Sequence, residues 1–166
     1  QSAGASLSAD GRLVAFVSQA DNLVAGDTNT ESDVFVKNLD TGEIVRVNKN
    51  EGEVQGEGFR NSAEISADGR FLAFTSGVDN RASAGGGVRA DVFAKNLETG
   101  ITVRVSEHHD GEPLDEDGHR PSVSADGRFI AFEASEMTSG FGDDIYVKDI
   151  ETGELMRVNE DAEGVR

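Results

Sequence analysis

The chain contains one segment in three copies, and this repetition constrains its fold more than any other feature. A Ser-Ala-Asp-Gly-Arg turn places aspartates at Asp10, Asp68 and Asp126, so that the copies follow one another at a regular spacing of 58 residues. Self-similarity at a fixed period of this order indicates stacked or radial structural repeats. We therefore interpret each copy as one structural unit of a repeat protein.

Each copy contains four short segments that are typical of β-strands. The Asp-Gly turn is preceded by ASLS, AEIS or PSVS and followed by LVAFVS, FLAFTS or FIAFEAS. Short apolar runs rich in Val, Ile and Phe beside an Asp-Gly turn are typical of strands buried on both faces. We expect these second strands to be the most buried, around Ala15, Ala73 and Ala131.

The third and fourth segments complete an antiparallel unit. The third is DVFVKNL, DVFAKNL or DIYVKDI, and a Thr-Gly turn joins it to IVRVN, TVRVS or LMRVN. In the fourth segment an arginine alternates with apolar residues, which predicts a half-exposed edge strand. No sustained helical period occurs in the sequence. Four antiparallel strands in each unit predict an all-β fold made of β-propeller blades.

The repeat resembles a known family. The pattern SxSADGRxxAFxS, followed by D(V/I)(F/Y)xKxxxTGxxxRV, is similar to the TolB-type, WD-repeat-like propeller repeat of bacterial exported proteins. The resemblance implies a β-propeller and a location outside the cytoplasm, extracellular or periplasmic. It does not select one function, because one fold serves scaffolds, peptidase gating domains and cell-surface proteins.

The three copies predict a single repeat domain over residues 1–166. Blade one covers about 1–48, blade two about 60–106 and blade three about 119–159, with acidic loops between the blades. Ordinary propellers have at least about four blades, so three blades alone would expose apolar faces that a partner normally covers. Joining the end of one copy to the start of another gives a connection nearly as long as the internal ones. We predict a homodimer in which each chain forms half of a six-bladed ring, with the remaining blades of a longer chain as the alternative.

Composition excludes several classes of partner. The formal charge of −17 and pI near 4.4 disfavour binding to nucleic acids or anionic membranes, which need basic surfaces. No apolar run approaches the roughly 20 residues of a membrane span. The absence of cysteine excludes disulfides and thiolate metal sites. The chain begins at Gln1 rather than Met, which we interpret as a processed or excised segment.

The loop after the second strand of blade one is the best candidate for a binding site. Asp27, Asn29, Glu31 and Asp33 occupy alternate positions, so a loop curled around one point can direct several oxygens inward. Calcium takes six to eight oxygen ligands and binds loops with this spacing. The alternative is a solvated acidic turn. The segment GDTN followed by DVFV also resembles a recurrent variant of this repeat in exported bacterial proteins, which favours calcium as a cofactor.

Two sets of recurrent aspartates have structural explanations. In the Asp-Gly turns the aspartate caps its own backbone, and the glycine adopts a left-handed conformation. Asp33, Asp91 and Asp144 each open a third strand. We expect these three side chains to accept backbone N–H groups where the loops end.

Three histidines lie in the second connection between blades. His108, His109 and His119 are accompanied by several acidic residues, so a His-carboxylate site for Zn, Mn or Fe is conceivable. The alternative is a solvated acidic loop without a metal.

No catalytic motif is found in the sequence, since it has no GxSxG, HExxH or phosphate-binding glycine loop and no cysteine nucleophile. We expect a non-catalytic exported propeller that acts as a structural or protein-interaction module, with a protein or glycan on the face of the long loops. One alternative is a propeller domain excised from a larger hydrolase or polysaccharide-degrading enzyme. A second is a TolB-like periplasmic scaffold.

Overall fold

The computed structural model describes residues 2–28, 31–48, 62–77, 90–135 and 143–160. Every secondary-structure element within these ranges is a β-strand, and the strands form three four-stranded antiparallel sheets. The predicted all-β fold of three four-stranded blades is therefore confirmed. The same ranges contain no helix with the length and apolar character needed to cross a membrane.

The strands of each sheet follow one another in chain order and pair with their neighbours in sequence. Blade one contains β1 (Ser2–Leu7), β2 (Leu13–Ser18), β3 (Asp33–Asn38) and β4 (Ile44–Arg46). Blade two contains β5 (Ala63–Ile65), β6 (Phe71–Ser76), β7 (Asp91–Asn96) and β8 (Thr102–Arg104). Blade three contains β9 (Asp117–Val123), β10 (Phe129–Ser135), β11 (Asp144–Asp149) and β12 (Leu155–Arg157). The first strands of successive blades lie side by side, as expected for strands nearest a propeller axis.

The repeated Asp-Gly turn uses the same hydrogen bonds in each blade. In blade one the Ser8 hydroxyl donates to Asp10 Oδ1 at 2.6 Å, and the Arg12 N–H donates to the same oxygen at 3.0 Å. The turns around Asp68 and Asp126 repeat both bonds. The serine hydroxyl is the main cause of the lowered pKa of Asp10 and of Asp126. The predicted turn-forming role of these aspartates is confirmed.

The blades join through two kinds of sheet face. In blade one a small-residue face packs against an aromatic face of blade two. The small-residue face contains Ala15, Val17, Val34 and Val36, and the aromatic face contains Leu72, Phe74 and Phe93. The other side of blade two is again a small-residue face, with Ala73, Val92 and Ala94, and it packs against Ile130, Phe132 and Tyr146 of blade three. Both seams thus join unlike faces in the same order.

The Asp-Gly turns also link the blades directly. The Ala9 N–H donates to the Ala67 carbonyl at 2.9 Å, and the Asp68 N–H donates to the Ala125 carbonyl at 3.1 Å. Turns of neighbouring blades are therefore held in register by backbone hydrogen bonds as well as by the apolar seams.

Burial of the second strands depends on the next blade. Ala15 and Ala73 are fully buried, as predicted, whereas Ala131 is only half-buried. The expectation for Ala131 is wrong because its face of blade three has no following blade among the described residues. Phe129 on the same strand is 43% exposed.

The fourth strands are half-exposed, but their arginines lie on the protected side. Arg46 is 7% exposed, whereas Val45 beside it is 46% exposed. Arg46 is buried because it contacts the buried carboxylate of Asp33 on the neighbouring strand β3.

Candidate functional site

Each blade contains a carboxylate at the start of its third strand that is held by side chains of the fourth-strand segment. In blade one, Asn48 Nδ2 donates to Asp33 Oδ1 at 2.9 Å, and Arg46 Nη1 lies 3.6 Å from Asp33 Oδ2. The Asn48 side-chain oxygen accepts the Val34 N–H at 2.9 Å. The amide thus bonds both to the carboxylate and to the backbone of the third strand.

The same arrangement recurs in the other two blades. Asp91 accepts the Ser106 hydroxyl at 2.8 Å and lies 3.5 Å from Arg104 Nη2. In blade three Asp144 accepts Asn159 Nδ2 at 3.1 Å and lies 3.6 Å from Arg157 Nη1. We expected these aspartates to accept backbone N–H groups. The N–H groups of Val34, Val92 and Ile145 instead donate to the Asn or Ser side chain, which together with the arginine also contacts the carboxylate.

Blade one adds a second carboxylate to this cluster. Asp27, whose side chain is 4% exposed, places Oδ1 at 3.3 Å from Arg46 Nη1. Among the described residues, Asp27 Oδ1 and Asp33 Oδ2 are buried without a hydrogen-bond partner, so their contact with the guanidinium is an ion pair. Burial is the main cause of the raised pKa of Asp33, and the charge of Asp27 raises it further. Two buried carboxylates therefore share one cation.

The predicted calcium ligands are thus only partly brought together. Asp27 and Asp33 meet around Arg46. Glu31 lies on the same loop and is exposed, and Asn29 falls outside the described residues.

A second cluster lies in blade three, at the end of the sheet where the long loops attach. His119 on β9 is paired in register with Glu133 on β10, and Asp143 directly precedes β11. His119 Nε2 lies 3.3 Å from Glu133 Oε2 and 3.4 Å from Asp143 Oδ2. A β-bulge interrupts the pairing of β9 with β10 next to this site, and Arg120 in the bulged segment has φ of 48°. Such bulges redirect side chains that regular pairing would place elsewhere.

The groups around this cluster hold it in place. His119 is 6% exposed, and its Nδ1 lies 3.1 Å from the Asp117 carbonyl. The Ser135 hydroxyl donates to Asp143 Oδ1, which is the main cause of the lowered pKa of Asp143. Arg120 Nη1 donates to Glu133 Oε2 at 2.9 Å.

Sequence reasoning did not connect the members of this cluster, because it placed His119 in the second connection between blades and Asp143 in the shortened acidic loop of blade three. His119 was grouped with His108 and His109, but those two are exposed and line an open groove with Thr152 and Glu154. Glu133 was included in an apolar strand. Its one sequence signal is that it stands where β2 carries Val17 and β6 carries Thr75.

The connection that contains His108 and His109 is anchored more firmly than a solvated acidic loop. Leu114 is buried in the seam between blades two and three, and Lys148 Nζ donates to the Glu107 carbonyl at 3.0 Å. Burial lowers the pKa of Lys148. The acidic residues beside the two histidines remain largely exposed.

No protein-family model matches the chain, and no curated protein matches it. Several solved structures are similar to the chain. TolB from Acinetobacter baumannii is 21% identical, with a TM-score of 0.59 over 95% of this chain and 33% of that one. A putative TolB from Agrobacterium tumefaciens is 15% identical, with a TM-score of 0.62 over 95% of this chain and 48% of that one. The chain has the fold of a TolB-like β-propeller.

A protease contains a similar propeller. The β-propeller domain of the Trilobed protease from Pyrococcus furiosus is 18% identical, with a TM-score of 0.56 over 93% of this chain and 40% of that one. This TolB-like propeller thus spans between a third and about half the length of the three solved chains. Identities this low establish the fold and leave activity, location and partners to be tested.

Proposed function

We propose that the chain is a non-catalytic, exported β-propeller module whose function is to bind other blades and other proteins. One observation supports this proposal most directly. The outer face of blade one carries the stacked phenylalanine pair of the internal aromatic faces, and the outer face of blade three carries the equivalent alanine together with Glu133.

Blade one carries an aromatic face without a preceding blade among the described residues. Phe16 stacks on Phe35 with ring centroids 5.6 Å apart, as Phe74 stacks on Phe93 at 5.7 Å. In blade two this pair belongs to the face that packs against blade one. In blade one the equivalent Phe16 is half-buried, whereas Phe35 is fully buried and its register partner Arg46 is 7% exposed.

Blade three carries the matching small-residue face at the other end. Ala131 occupies the position that Ala15 and Ala73 occupy in the internal seams, and it is half-buried. Phe129 is 43% exposed and Met156 is 56% exposed. A blade with an aromatic face would cover these groups as blades two and three cover their predecessors.

The partner proposed for these faces is a second copy of the chain, since its aromatic face is of the kind that packs on the alanine side of blades one and two. Two copies joined at both ends would give the six-bladed ring predicted above. Further blades of a longer chain would supply the same chemistry and are the alternative.

Sedimentation velocity of the 166-residue chain tests the association. Ala131→Arg places a charge on the half-buried outer face and should convert dimer to monomer, while Ile101→Arg, at a side chain 63% exposed away from both end faces, should not. Because each copy has a formal charge of −17, added salt should strengthen association by screening the repulsion. A chain that stays monomeric at high concentration and high salt would contradict self-association.

Calcium is proposed as a stabilising ion of the blade-one loop. The support is electrostatic, because Asp27 and Asp33 are two buried carboxylates that share the guanidinium of Arg46 within the described part of the chain. An added cation would offset the remaining negative charge, and loop oxygens would complete its shell. Calcium is thus expected to act as a structural ion rather than a catalytic one.

A second candidate function is favoured by the likeness to the Trilobed protease propeller. In that case the chain would accompany a catalytic domain and bind its substrates. Assays of the isolated chain with peptide and polysaccharide substrates, with and without divalent ions, should show no turnover under either proposal. Measurable turnover that purification does not remove would contradict both.

A further inference from the structure

We propose that His119, Glu133 and Asp143 form a binding site for a divalent first-row transition metal, with Zn²⁺ as the best-fitting ion. The proposal does not depend on the calcium loop, and its site lies on the same outer face of blade three as Ala131, because Glu133 and Ala131 are two residues apart on β10. It goes beyond the binding function because it gives blade three a histidine-carboxylate cluster that is not seen in the described residues of blades one and two.

The distances within the cluster fit a metal better than a direct hydrogen bond. A charge-assisted N–H···O bond is about 2.7–2.9 Å long, but Nε2 of His119 is 3.3 and 3.4 Å from its two carboxylate oxygens. Zinc binds nitrogen and oxygen at about 2.0–2.2 Å in tetrahedral geometry, which separates two ligand atoms by about 3.3–3.6 Å. The three ligand atoms all lie within 4.8 Å of one another.

The histidine has the orientation of a metal ligand. Nδ1 faces the Asp117 carbonyl at 3.1 Å, and because a carbonyl only accepts, Nδ1 must carry the proton. In the neutral ring Nε2 then presents its lone pair to the cluster. Nε2 faces Glu133 Oε2 and Asp143 Oδ2 at 3.3 and 3.4 Å, and the residue is 6% exposed. A buried imidazole whose remaining nitrogen is held by a backbone carbonyl is the usual arrangement of a zinc-binding histidine.

Charge also favours a cation here. Glu133 and Asp143 supply two negative charges, and Arg120 supplies one positive charge through a side chain that is 73% exposed. Ser135 donates to Asp143 Oδ1 and so orients Oδ2 towards His119, whereas Arg120 donates to Glu133 Oε2, the oxygen that faces His119, and would share it with the ion. Hydrogen bonds of this kind are common around ligating carboxylates.

The strand that carries His119 is fixed to the preceding blade. The Gly118 N–H donates to the Ala90 carbonyl at 2.8 Å, and the Ala90 N–H donates to Asp117 Oδ1 at 3.3 Å. A Cβ at Gly118 would lie 3.0 Å from a methyl group of Val92, so no larger residue fits there without a shift. The histidine is therefore held before any ion arrives, which favours binding.

The donor set determines the class of metal. One imidazole and two carboxylates suit Zn²⁺, Mn²⁺ or Fe²⁺, whereas Ca²⁺ and Mg²⁺ prefer oxygen ligands alone. Three protein ligands leave a tetrahedral ion one position for water. Because the Asp143 side chain is 39% exposed, that position can reach solvent.

Isothermal titration with ZnCl₂ and absorption spectroscopy with Co²⁺ test the site. Wild type should bind one Zn²⁺ per chain and give the visible absorption of tetrahedral cobalt. His119→Gln should abolish both signals, and Glu133→Gln or Asp143→Asn should weaken Zn²⁺ binding by at least about 10–100-fold. Excess Ca²⁺ should not compete.

Matched controls separate the site from adventitious binding. His109→Gln removes an exposed histidine outside the cluster and should leave both signals unchanged. Circular dichroism in chelator should show that each variant remains folded, and if His119→Gln does not, the two carboxylate variants decide. The proposal is overturned if wild type gives no cobalt spectrum, or if His109→Gln weakens zinc binding as much as the cluster variants do.

Discussion

Gly127 provides a sharp test of the seam between blades two and three. It lies in the Asp-Gly turn of blade three with φ of 77°, and it packs against the side chain of Phe71 in blade two. A Cβ added at Gly127 would lie 2.6 Å from Phe71 Cγ and 2.8 Å from its Cβ. Because these atoms are close to the backbone of β6, rotation of the ring cannot remove the clash.

Gly127→Ala should therefore incur two penalties. The left-handed backbone costs a residue with a side chain about 1–2 kcal/mol, and overpacking of the seam adds about 1–3 kcal/mol. Gly42→Ala is the matched control, since Gly42 also has φ of 77° but has no atom within 4 Å of an added Cβ. The two variants should thus differ by about 1–3 kcal/mol in unfolding free energy, or roughly 2–12 °C in Tm for a chain of this size.

The first seam suggests a compensating change. There Gly69 packs against Leu13, and an added Cβ would lie 3.4 Å from the leucine Cδ1. Phe71→Ala, which removes Cγ and the ring, should recover part of the overpacking penalty in the Gly127→Ala background. Urea unfolding followed by far-ultraviolet circular dichroism, analysed as a double-mutant cycle, measures this coupling. Equal losses for Gly127→Ala and Gly42→Ala, or a coupling of zero, would refute the assigned contact.

Three further predictions concern acid stability, calcium and packing. Arg128 donates to Asp149 and lowers the pKa of Asp149 to about 2, so the ion pair should stabilise the fold above about pH 4 and lose this effect as the pH falls towards 2. In urea unfolding, Asp149→Asn should flatten the fall in stability between pH 4 and pH 2, and an unchanged fall would count against the pair. Calcium should raise Tm by the equivalent of about 2.7 kcal/mol of unfolding free energy at a hundredfold excess over Kd, and magnesium should raise it less. Asp27→Asn should reduce the calcium response, and identical melting curves in calcium and chelator would leave the loop as a solvated turn. Ala73→Leu should lower the unfolding free energy by about 1–3 kcal/mol by overpacking a buried seam, whereas Ala131→Leu on the half-buried outer face should lower it less in the monomer. An unchanged unfolding free energy for Ala73→Leu would place that residue outside the seam.

Blade three differs from the other two at the position where the next blade would pack. Val17 and Thr75 are buried in the internal seams, whereas the equivalent Glu133 is a partly exposed carboxylate beside His119. A polar outer face on a terminal unit is a common way to end a repeat stack. A metal at this position and a following blade would therefore share one surface, and the order in which they bind can be measured.

The amino-acid sequence by itself determined the blades. The Asp-Gly turn specifies its own hydrogen bonds, since Ser8, Asp10 and the backbone of Arg12 lie within five residues. The apolar runs and Thr-Gly turns are equally local, so the number and order of the strands followed from pattern alone. These features depend on neighbours in the chain, and the threefold repetition identified them three times.

Tertiary structure decided which side of each strand is used. Arg46 and Val45 alternate in sequence, and this pattern does not show which of the two is buried. The arginine is buried because it contacts Asp33 on the neighbouring strand β3. His119 and Glu133 meet only because β9 and β10 pair on one side of a bulge whose position the alternation of residues does not reveal. Period-two patterns specify two faces of a strand. Contacts between distant segments determine which face meets a neighbour, so the charged clusters became visible only once the blades were assembled.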